Sequence, residues 1–63
     1  MKISVKEKMK EAEQMSLNNP EILYRVMDKT GQRAVVTSDE WVFRERIIDG
    51  YFTVAKFKNG KQI

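Results

Sequence analysis

The chain has no cysteine and no histidine among its 63 residues. The first absence excludes a disulfide framework and a thiolate metal site, and the second removes the commonest zinc ligand. With both missing, a nucleophile-and-base pair must come from Ser, Thr, Lys, Asp or Glu, and no such pair is persuasively arranged. Proline occurs once, at Pro20, and the three glycines, Gly31, Gly50 and Gly60, each stand alone. Isolated glycines mark turns, and there is no glycine-rich loop to cradle a phosphate. No apolar run approaches a membrane span or the hydrophobic segment of a signal peptide, and the opening MKISVKEKMK mixes charged with apolar residues. A cytoplasmic location away from membranes is expected.

A length of 63 residues fits one small domain, 1–63, with no repeat, linker or low-complexity segment. Hydrophobic residues make up 41% of the chain and charged residues 33%, which describes a folded core under a heavily charged exterior. A chain this short buries a smaller fraction of its surface than a larger domain, and small scaffolds without covalent or metal staples often gain stability by self-association. A homo-oligomer is therefore expected, with no cofactor.

Net charge is +3, and its distribution is uneven. Residues 1–20 carry four basic and three acidic groups, 21–40 three and four, and 41–63 five and two. The whole excess thus falls in the last third. Five of the six aromatic residues lie between Thr37 and Phe57, so charge excess and aromatic content coincide.

Ser4-Val5-Lys6-Glu7 has the spelling of a capping box, and the residues through Leu17 are good helix formers, which predicts a first helix. Val5, Met9 and Ala12, with Met1 and Met15, recur at three- and four-residue spacing and give it a narrow apolar stripe suited to packing on a sheet. Asn18-Asn19-Pro20 ends it, because Asn tolerates left-handed φ and Pro cannot continue the ladder. Glu21 to Met27 alternates and reads as a strand. Asp28-Lys29-Thr30-Gly31 is a turn, and Gln32 to Thr37 is the returning strand, with Tyr24 facing Val35 and Leu23 facing Val36.

Thr37 and Ser38 ahead of Asp39 and Glu40 repeat the capping-box arrangement, Arg44 and Arg46 suit the negative end of a helix dipole, and Asp49-Gly50 supplies a stop. A second helix ending near Ile48 follows. Its competitor is a strand, because Trp41, Phe43, Glu45 and Ile47 alternate with their neighbours. From Tyr51 to Lys58 the alternation is clear, with Tyr51, Thr53, Ala55 and Phe57 on one face and Phe52, Val54, Lys56 and Lys58 on the other. Asn59-Gly60 is a further turn, after which Lys61-Gln62-Ile63 can return as a short edge. The order helix, strand, strand, helix, strand defines an α+β fold with helices packed on a small antiparallel sheet. If 38–48 were a strand, the product would instead be an N-terminal helix with a four- or five-stranded meander or small barrel.

Two functional readings follow. Small size, the missing catalytic residues and an exposed sheet edge suit a non-enzymatic binding or regulatory module that acts through protein contacts, as a homodimer and against a larger protein partner. It has no catalytic residue, no metal or cofactor site and no small-molecule substrate. Ser38, Asp39 and Glu40 form an acidic cluster that helix initiation explains. The alternative is nucleic-acid binding, because cations and aromatics interleave in the last third as they do in proteins that hold phosphates and stack bases. For either partner the candidate contact residues are Trp41, Arg44, Arg46, Tyr51, Lys56 and Lys58.

Overall fold

A computed structural model describes residues 2–63. Met1, which the sequence pattern places on the stripe of the first helix, lies outside the described residues. The elements are α1 (Ile3–Asn18), β1 (Tyr24–Asp28), β2 (Val35–Thr37), α2 (Glu40–Ile48), β3 (Phe52–Lys58) and β4 (Lys61–Gln62). The strands form one antiparallel sheet in the order β2-β1-β3-β4. This is the expected α+β arrangement. The meander or barrel alternative is overturned, because 40–48 is helical. Among the described residues no helix is long and apolar enough to cross a membrane.

Helix α1 lies on one face of the sheet. Its buried residues are Ser4, Val5, Ala12 and Ser16, which share one side of a helix at 3.6 residues per turn. Ala12 packs with Tyr24, Val26, Ala55 and Phe57 into the core, flanked by Met9, Met15 and Val36. Small residues on the helix let its backbone come close, and both buried serines act across the gap. The Ser4 hydroxyl accepts from the Ala34 backbone N–H at 3.2 Å. The Ser16 hydroxyl accepts from Gly60 N–H at 2.8 Å and donates to the Glu13 carbonyl at 2.8 Å. Two polar side chains thus tie the ends of α1 to opposite margins of the sheet.

Several details differ from the sequence expectation: β1 begins at Tyr24 and not at Glu21, and β2 at Val35 and not at Gln32. The Ser4 capping box is absent, since Lys2 holds the N-cap position without a side-chain bond and Ser4 is committed to Ala34. Helix α1 does end before Pro20, but Asn19 has φ −135° and is not left-handed; its N–H reaches the Met15 carbonyl instead. The hairpin register is shifted by three: Arg25 pairs with Thr37, Val26 with Val36 and Met27 with Val35. The turn begins one residue later than expected, with Gln32 N–H donating to the Lys29 carbonyl at 3.0 Å and Gly31 at φ 81°. The loop is lengthened because α1 holds it. The Lys2 ammonium pairs with Asp28 at 2.8 Å and also reaches the carbonyls of Lys29 and Gln32.

Strand β3 pairs along β1 from Tyr24–Phe57 to Asp28–Phe52, with a bulge that leaves Val54 unpaired between Ala55 and Thr53. A bulge adds one residue to one strand and bends it. Among the described residues, the buried hydrophobics larger than alanine are Val5, Tyr24, Val26, Met27 and Phe57. At about 1.5–3 kcal/mol for each fully buried large side chain, this is a small interior, and the chain extends only 15 Å along its shortest axis.

Candidate interaction face

Helix α2 is started by Asp39, whose carboxylate accepts from Trp41 N–H at 2.8 Å and Val42 N–H at 3.2 Å. The expected capping box through Thr37 or Ser38 is therefore corrected: Thr37 belongs to β2 and its hydroxyl meets Met27 Sδ at 3.6 Å. Glu40 does not reach back either, because it pairs with Arg25 at 3.2 Å. At the other end Gly50 N–H donates to the Ile47 carbonyl and Tyr51 N–H to the Arg46 carbonyl, with Gly50 at φ 99°. This pair of bonds is a Schellman motif, which needs a residue free to take positive φ.

The sheet face opposite α1 carries α2. Arg25 alternates with the core residues Tyr24 and Val26 and so points away from α1. Its guanidinium lies 4.0 Å from the centre of the Phe43 ring. Val42, Phe43 and Arg46 are half-buried, but α2 contains no buried residue although five of its nine positions are apolar. Trp41 is 74% exposed and Ile48 84% exposed. At 100° per residue Trp41, Arg44, Glu45 and Ile48 lie within one arc of the helix, directed away from the sheet. On β3, Phe52 is 49% and Val54 40% exposed.

The structure joins some of the candidate contact residues and separates others. Arg44 lies 5.7 Å from the Trp41 ring centre, and Arg46 the same distance from that of Tyr51. Lys56 is exposed on β3 opposite Arg25, and Lys58 is exposed farther along, opposite Lys61. Sequence reasoning missed Arg25 and Lys29, the latter 5.7 Å from the Tyr51 ring centre. Both sit outside the basic last third, and only the pairing of β1 with β3 brings them to it. The aromatics of that third divide: Phe57 is core, Phe43 and Tyr51 are half-buried, and Trp41 and Phe52 are exposed.

Two features set the chemistry of this face. Glu40 pairs with Arg25 at 3.2 Å and with Arg44 at 4.0 Å, which offsets two of the cations. The guanidiniums of Arg25, Arg44 and Arg46 already lie over aromatic rings, a favourable arrangement that occupies ring faces a nucleobase would need. On α2 the exposed apolar side chains are Trp41, Ile47 and Ile48. On the α1 side, Met9 and Phe57 floor a groove of about 500 Å³ bordered by Lys6, Lys10, Glu13 and Gln62. Comparison with protein families, with curated proteins and with solved structures gives no match, so the functional reading rests on this geometry.

Proposed function

We propose that the chain is a non-enzymatic binding module that acts through protein contacts, self-associating and engaging a larger protein through α2. The observation that carries this reading is that α2 is apolar at five of nine positions yet contains no buried residue. Apolar side chains left in water at roughly 25 cal/mol per Å² represent unspent burial energy, and contiguous exposed apolar patches on small proteins mark interaction sites. Trp is also over-represented among the residues that dominate binding energy.

The test is the variant Trp41→Ala/Ile48→Ala. Both side chains point to solvent, so far-UV circular dichroism should be unchanged, while self-association and retention of partner proteins should be lost. Association and capture that persist undiminished in the variant would place the contact elsewhere and contradict the proposal.

A second reading, nucleic-acid binding, is favoured by the exposure of Arg44, Lys56 and Lys58 on a chain of net charge +3. It requires polarisation or gel-shift binding to DNA or RNA at low salt that weakens steeply as salt rises, since phosphate contacts release counterions. Absence of binding at low salt eliminates it.

A further inference from the structure

The outward stripe of α2 reads Trp41, Arg44, Glu45, Ile48: apolar, cation, anion, apolar. We infer that this stripe pairs with the same stripe of a second copy, antiparallel, about a two-fold axis passing between Arg44 and Glu45. The inference rests on the protein-contact reading above and names the partner and the register of that site.

In a two-fold contact the same patch faces itself, so residue i meets residue j and j meets i. Centring the axis between Arg44 and Glu45 sets Trp41 against the partner's Ile48 and Arg44 against the partner's Glu45, twice over. The match is therefore complementary in charge and in apolar character at every position of the stripe. An axis displaced along the helix by one turn would leave Trp41 or Ile48 without an apolar partner. The four residues follow the i, i+3, i+4, i+7 spacing that two packed helices present to each other. Trp41 and Ile48 are 74% and 84% exposed, and the Arg44 side chain 65%, so the stripe is open for the contact. Antiparallel pairing also opposes the two helix dipoles favourably.

Nine residues make a helix of about 13 Å, so the contact is smaller than the roughly 1,200–2,000 Å² of a standard interface. The dimer is accordingly weak and its population depends on concentration.

Charge exchange tests the register. Arg44→Glu gives two Glu–Glu oppositions in the homodimer, and Glu45→Arg gives two Arg–Arg oppositions, so each variant alone should dimerise about tenfold more weakly in sedimentation equilibrium at low salt. The double variant Arg44→Glu/Glu45→Arg should dimerise as the native chain does. An equimolar mixture of the two single variants should form heterodimers, since every opposition is then between unlike charges. All four positions are solvent-facing, and unchanged circular dichroism verifies the fold.

As a second readout, Trp41 is the only tryptophan, and its emission should shift to shorter wavelength as protein concentration rises. A native chain that stays monomeric at every concentration overturns the inference while leaving a different protein partner open to the α2 face. A dimer whose strength ignores both single exchanges also overturns it, by placing self-association on another surface.

Discussion

Replacing Ser16 with Ala measures how far its buried hydroxyl holds α1 to the sheet. Ser16 is fully buried and accepts from Gly60 N–H at 2.8 Å. Deleting the hydroxyl strands that donor, and an unsatisfied buried group costs about 1–3 kcal/mol. Against this, Ala is favoured over Ser in a helix by about 0.5 kcal/mol. The net loss is therefore about 0.5–2.5 kcal/mol, out of the roughly 3–9 kcal/mol that a domain of this size commands. In a domain of 60–100 residues each kcal/mol moves Tm by about 4–8 °C, so the fall should be about 2–20 °C. Thermal unfolding followed by circular dichroism, at one fixed protein concentration, reads it. A Tm equal to or above that of the native chain would mean that water replaces the hydroxyl at no cost, and the account of how α1 is attached would be wrong.

Two further predictions concern the ends of the elements. Asp39→Ala removes the only side-chain cap of α2 and should cost about 1 kcal/mol, with Asp39→Asn retaining most of it; urea midpoints of the two variants decide this. The Asp28 carboxyl is held below its ordinary value, chiefly by the hydrogen bond from the Lys2 ammonium. A carboxyl whose folded value is depressed adds stability above its unfolded value and loses it as pH falls through the folded one. The stability difference between the native chain and Lys2→Met should thus be largest at about pH 7 and shrink in strong acid, below the usual aspartate value of about 3.9, to what the Lys2 bonds to the Lys29 and Gln32 carbonyls contribute. A difference that is the same at both ends of the titration would show that the pair does not set the shift.

The hairpin shows where sequence stops carrying the structure. Alternation from Glu21 onward and the turn residues around Gly31 are local, and they locate two antiparallel strands. The register is set instead by contacts between residues about 30 apart: Ser4 on the Ala34 N–H, and Lys2 on Asp28 and the Lys29 and Gln32 carbonyls. Nothing local to residues 28–37 reports these. The capping-box spellings fail for the same reason. Ser4, Thr37 and Glu40 have the right spacing to cap, but tertiary partners claim them, and Asp39 caps α2 in their place.

The candidate site is legible in the sequence to the extent that it depends on a helix at 40–48, where the capping and stop residues outweigh an alternation that also suits a strand. Phe57 belongs to the core and Phe52 does not, although the bulge returns Phe52 to the face that Phe57 occupies: Phe57 pairs with Tyr24 and Phe52 with Asp28, two positions on one side of β1. Arg25 and Lys29 were hidden because a strand adjacent only in space supplies them. The half-exposed Val54 follows from a bulge that no single residue in the strand announces.

The central claim is that the outward side of α2 is covered by protein when the chain works, and Trp41 reports on it directly. Acrylamide quenching of its fluorescence should be strong in dilute solution and fall as the protein is concentrated. Quenching that is equally strong at every concentration, together with a sedimentation profile showing dimers, would contradict the claim by leaving Trp41 in water while the chains associate through another face.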